Sequence, residues 1–169
     1  MATGTAPLDD LANGYAPPGE DRPLAAYGGM MATFGLALGT ALGVLRASGN
    51  ALPERPRASD LVLGAVATQK VSRLLTKDRV TSVIRAPLTR YQEAAGHGEV
   101  EEQPRGNGLR LAIGELLVCP FCLAQWVAAT FAVGLVAAPR LTRFVAGIFV
   151  IETLSDVLQL AYKAAEDRS

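Results

Sequence analysis

Two cysteines separated by a proline and a phenylalanine, Cys119-Pro120-Phe121-Cys122, are the residues of this chain best suited to covalent chemistry. At the first turn of a helix, unpaired backbone amides stabilise a thiolate, so such a pair can cycle between dithiol and disulfide. The spacing and the proline are thioredoxin-like, but no alternating strand pattern surrounds them, which excludes the thioredoxin fold. Membrane-embedded thiol oxidases relay electrons through a second pair, and this chain has no third cysteine. Zinc is another reading: two thiolates make half a tetrahedral site, so two chains would share one ion, with His97 joining only if its segment folds back. The third reading is packing, in which Pro120 breaks the helix entrance and the sulfurs fill a gap against Trp126. Packing is preferred, Cys119 and Cys122 form the redox pair of the alternative, and neither metal nor cofactor is expected.

A second constellation is ionic. Glu152, Asp156 and Gln159 lie at i, i+4 and i+7 in an otherwise apolar run, which stacks three polar groups on one helical face. A carboxylate facing lipid costs roughly 2.5–3.5 kcal/mol on insertion scales, so that face should point into a bundle. Glu115, Cys119, Cys122 and Gln125 form a similar stripe on the preceding helix. Lys70 and Arg73 are the nearest cations by depth. The expectation is one buried polar cluster of Lys70, Arg73, Glu115, Gln125, Glu152, Asp156 and Gln159, serving either as a lock on helix register or as a relay or head-group pocket.

The elements that must position these groups follow from the distribution of apolar residues. Half of the 169 residues are apolar and 19% are charged, with the hydrophobicity gathered in blocks. Residues 1–23, rich in proline, glycine and aspartate, read as a disordered tail and lack the basic start of a signal peptide. Residues 24–45 are uncharged and long enough to cross about 30 Å of hydrocarbon. Along them Gly35, Gly39 and Gly43 recur every four residues, a face for close helix packing within the chain or between copies. Ser59 is positioned to cap a helix over 59–76, read as a short span or an interfacial helix and preferred as a helix packed within the bundle. Residues 77–110, charged and broken by proline and glycine, read as an extramembrane loop. Its His97, Glu99, Glu101 and Glu102 match no metal-site spacing and read as solvated. Helices over 111–138 and 144–163 complete a membrane domain of 24–163, followed by a tail over 164–169. The fold class is all-α: a small helical membrane bundle of three to four spans.

Several stretches together resemble the bacterial membrane family known as domain of unknown function 1360. They are Arg73-Leu-Leu-Thr-Lys-Asp-Arg-Val-Thr81, Arg85-Ala-Pro87, Gly106-Asn-Gly-Leu-Arg110 and Gly114-Glu-Leu-Leu-Val-Cys-Pro-Phe-Cys-Leu-Ala-Gln-Trp126. The resemblance covers about Leu61 to Tyr162. It implies a small bacterial integral membrane protein and supplies no reaction.

Scattered basic residues and a formal charge of +0 exclude a nucleic-acid groove. No nucleotide loop, serine elbow or zinc-protease helix occurs, so ordinary enzyme classes lack a foothold. The expected role is a non-catalytic subunit, scaffold or binding module in the inner membrane, partnered by the lipid bilayer and by another copy or another membrane protein. The alternative is a membrane thiol-disulfide oxidoreductase. The basic-residue bias places the 77–110 segment and the C-terminus in the cytoplasm.

Overall fold

A computed structural model describes Tyr15 and residues 22–168. The expected disordered tail lies almost entirely outside the described residues. Six helices and one two-stranded sheet follow in chain order among them: α1 (Leu24–Ala47), α2 (Ala58–Lys77), α3 (Ser82–Arg85), β1 (Thr89–Gly96), β2 (Glu99–Pro104), α4 (Gly108–Val118), α5 (Pro120–Ala137) and α6 (Pro139–Glu166). The class is helical, with α1, α5 and α6 each long and apolar enough to cross a membrane.

Side-chain pairings set the helix directions. Asp60 near the start of α2 binds Arg143 near the start of α6, and Lys70 further along α2 binds Glu152 and Asp156 further along α6. The two helices therefore run parallel. Only Ala138 separates α5 from α6, so α5 runs opposite to both. Tyr27 of α1 binds Glu115 just before α5, and Phe34 packs edge-on against Trp126, with ring centroids 5.1 Å apart. That makes α1 parallel to α5. The four long helices thus alternate in direction, and the ends of α1 and α5 nearest the chain's start of each helix share one end of the bundle with β1 and β2.

Although α2 is more polar than its neighbours, its 20 residues give about 30 Å of helix, the length of a span. Its interior polar groups are satisfied locally. Ser72 Oγ donates to the carbonyl of Thr68, and Thr76 Oγ1 donates to that of Ser72 at 2.7 Å, so these buried hydroxyls consume backbone lone pairs of their own helix. Ser59 does not cap α2: the helix begins one residue earlier, with extended Arg57 at the boundary and no side-chain cap.

Two expectations change at the hairpin end. The single helix expected over 111–138 is broken at Cys119, whose backbone is extended (φ −106°, ψ 104°). Pro120 forces this, because it lacks an N–H and its ring pushes the preceding residue out of the helical region. The segment expected as an irregular loop over 77–110 holds α3 and a β-hairpin instead. Its turn is His97-Gly98, with φ 49° and 82°, the paired positive values of a tight two-residue turn that glycine favours. Glu99, Glu101 and Glu102 on β2 hold the hairpin through ion pairs.

The core is sparse. Leu45, Ala67, Val100, Ala112, Leu123 and Ala146 are its buried apolar residues, while Leu36, Val44, Phe144, Ile151 and Leu158 lie on the outside. Large apolar side chains facing outward along α1 and α6 are what a bundle surrounded by hydrocarbon requires. Close packing uses glycine where it occurs: an added Cβ at Gly114 would meet the Leu88 carbonyl oxygen at 2.9 Å, and one at Gly134 would meet Thr142 Oγ1 at 2.8 Å. Gly35, Gly39 and Gly43 have nothing within 4 Å of such a Cβ, so among the described residues no close packing uses that face.

Candidate functional site

Cys119 and Cys122 are joined in a disulfide, with their Cα atoms 5.3 Å apart. Cys119 is the cap of α5, and its Sγ accepts the Cys122 backbone N–H at 3.1 Å. The break at Pro120 is what makes this geometry available, since a continuous helix would bury those amides in its own ladder. Cys119 is half-buried and Cys122 is exposed. Phe121 between them is 88% exposed.

Two grooves flank the pair. Toward α1, Cys122 and Gln125 line a cavity of about 330 Å³ with Tyr27, Met30, Phe34 and Trp126. Toward α2, Pro120 and Phe121 open a larger groove of about 640 Å³. Its α5 wall carries Ala124, Ala128 and Ala132, one per helical turn, and its α2 wall carries Gly64 and Ala65. Leu61, Phe131 and Leu135 also line it, and the small residues between them leave room for another backbone to approach.

The polar groups expected in one cluster are divided among several sites. Lys70 joins Asp156 at 2.5 Å and Glu152 at 3.3 Å, a triad that ties α2 to α6. Arg73 turns away to grip Glu99 on β2 through two bonds of 2.6 and 2.7 Å. Glu115 accepts from the Tyr27 hydroxyl, and Gln125 lines the α1 side. Gln159 is exposed and donates to Ser155 Oγ at 3.2 Å. The stripe of Glu115, Cys119, Cys122 and Gln125 therefore does not face Glu152, because it assumed a helix that runs unbroken through Cys119.

The glutamates of β2 are likewise spoken for. Glu99, Glu101 and Glu102 pair with Arg73, Lys77 and Arg85 in turn. Among the described residues no group of three or more histidine, cysteine, aspartate or glutamate side chains is placed to hold a metal ion.

The strongest polar site was not singled out from sequence. Arg85 is completely buried and meets Glu102 through bonds of 2.8 and 3.2 Å. Its remaining donors reach the carbonyls of Leu75 and Asp78 and the hydroxyls of Thr81 and Ser82. Thr89 Oγ1 donates to Glu102 at 3.0 Å. Burial pushes the Glu102 carboxyl up, but the hydrogen bonds from Arg85 and Thr89 and the guanidinium charge outweigh it, leaving the net value below the usual one. This network pins α3 and the hairpin to the end of α2. Its only sequence signal is an isolated arginine before Ala86-Pro87, in a stretch too rich in charge to suggest burial.

The fold and these sites define a class: a helical bundle with three membrane-length helices, capped at one end by an ion-paired hairpin and a disulfide. Residues 63–162 match the family described as Protein of unknown function (DUF1360), and the chain belongs to that family. No curated protein and no solved structure matches it.

Proposed function

We propose that this chain is an integral protein of the bacterial inner membrane that serves as a scaffold, assembling laterally through the groove between α2 and α5. In this reading α2 is the fourth span. The hairpin end carries Arg22, Lys77, Arg79, Arg85, Arg90, Arg105, Arg110, Lys163 and Arg168, nine basic residues against five at the other end (Arg46, Arg55, Arg57, Arg140, Arg143). Basic residues favour the cytoplasmic side, which supports a cytoplasmic hairpin.

The observation that carries the scaffold reading is a match of depth. Gly35 follows Phe34, which meets Trp126, and Gly43 lies about 12 Å further along α1. Because α1 and α5 run parallel, the uncovered glycines sit level with roughly 127–135 of α5, the stretch where Ala128 and Ala132 wall the groove. A ring of copies about an axis normal to the membrane preserves depth, so α1 of one copy meets the groove of the next in register. The test is oxidative cross-linking in membranes between differently tagged copies, one Gly39→Cys and one Ala132→Cys, with Cys119 and Cys122 replaced by serine. A Gly39→Cys and Ala132→Cys adduct is expected, and none between Gly39→Cys and Phe144→Cys. No adduct, or equal adducts, overturns the reading.

A further inference from the structure

We propose that the Cys119–Cys122 disulfide is a thiol-disulfide exchange site that accepts two electrons from a dithiol substrate, with Cys122 as the attacked sulfur and Cys119 as the leaving thiolate. The proposal is independent of assembly, since every group it uses belongs to one copy.

The two sulfurs are unequal in ways that assign their roles. Cys122 is exposed and opens onto the cavity beside α1, whereas Cys119 is half-buried at the helix boundary. A nucleophile reaches Cys122 first. The leaving sulfur is then Cys119, which already accepts the Cys122 N–H at 3.1 Å at the start of an 18-residue helix. Negative charge developing on Cys119 meets an amide donor and the positive end of the helix dipole without rearrangement. Exchange is fastest when the accessible sulfur is attacked and the departing thiolate is stabilised, and this geometry supplies both. A pair retained only for packing would need neither the exposed sulfur nor the oriented amide.

The step balances with the substrate alone. One substrate thiolate attacks Cys122 Sγ, the Sγ–Sγ bond breaks, and its electron pair leaves on Cys119. The second substrate thiolate then attacks the substrate sulfur of the mixed disulfide, which frees Cys122 as a thiolate. The substrate departs as a disulfide, and the two protons its thiols lost end on Cys119 and Cys122. Phe121, 88% exposed between the cysteines, makes the approach apolar, so the fitting substrate is a dithiol flanked by apolar groups.

Trp126 is the chain's single tryptophan and lines the same cavity as Cys122, so its emission reports the state of the pair. The full chain in detergent micelles is titrated with dithiothreitol under native conditions. Reduction of both cysteines with a matching rise in Trp126 emission is expected. Separately, glutathione is added, the reaction is quenched in acid, and peptides are mapped by mass: the adduct is expected on Cys122. In Cys119→Ala, whose Cys122 is a free thiol, oxidised glutathione should form the same adduct by exchange, releasing one glutathione thiol, and that adduct should persist because the resolving sulfur is gone. Resistance to dithiothreitol until the protein is unfolded overturns the proposal, as does an adduct found on Cys119; neither readout requires a variant to fold.

Discussion

Arg85 shows what a single residue contributes here, because it is a full charge removed from water with every neighbour arranged to receive it. Removing one partner of a buried, hydrogen-bonded ion pair leaves the other charge uncompensated and costs about 3–5 kcal/mol. Glu102→Gln and Arg85→Met should each lower stability by that order in denaturant unfolding, and the double variant should lose less than the sum, since no unpaired charge remains. The pair also sets a pH dependence. The Glu102 value in the fold lies below its ordinary 4.5, so its contribution is complete above about that pH and is lost as pH falls through the lower folded value. Unfolding followed from pH 7 into acid should show that decline in the wild type and not in Glu102→Gln; identical acid profiles would show that the carboxylate is not linked to folding.

At the scale of elements, glycines with different neighbours should respond in opposite ways. Gly114 on α4 lies against the Leu88 carbonyl oxygen and Pro104, and a backbone oxygen 2.9 Å from a new Cβ cannot rotate away. Gly114→Ala should therefore lift α4 from the hairpin and destabilise by about 1–3 kcal/mol, the cost of overpacking. Gly39→Ala meets open space and gains helix propensity, so the isolated chain should be unchanged or slightly more stable in a thermal melt. Equal losses at both positions would refute the contact assignment. Sequence reasoning recovered the long helices from hydrophobicity, and depth and periodicity offered Lys70 and Arg73 together as cations for Glu152 and Asp156; Lys70 pairs with them, whereas Arg73 pairs with Glu99. It missed the hairpin because β1 is exposed along almost its whole length and carries no alternating apolar pattern. It also carried the helix through Cys119, so the common face assigned to Glu115, Cys122 and Gln125 across Pro120 did not hold. Helical periodicity gives direction only within one unbroken element.

For the whole molecule, the question is whether the alternating directions of α1, α2, α5 and α6 amount to four crossings. Geometry favours four: α2 lies parallel to α6 along their ion-paired lengths, and Asp60 reaches Arg143 beside the turn that joins α5 to α6. An α2 lying flat in the interface could not hold Asp60 at that turn while placing Lys77 against Glu101 of the hairpin. Ala51, between α1 and α2, and Ala95, near the hairpin tip, must then lie on opposite sides of the membrane. With Cys119 and Cys122 replaced by serine, Ala51→Cys should react with an impermeant maleimide from the periplasmic side, and Ala95→Cys should react only after the inner membrane is opened. Labelling of both from one side would reduce α2 to an interfacial helix. Labelling of Ala95→Cys alone in intact spheroplasts would keep four crossings and reverse them, placing the disulfide at the oxidising face, where a structural bond persists without chemistry. Orientation and redox role are thus coupled: a disulfide at the cytoplasmic end faces a reducing compartment, in which it persists mainly as a working intermediate.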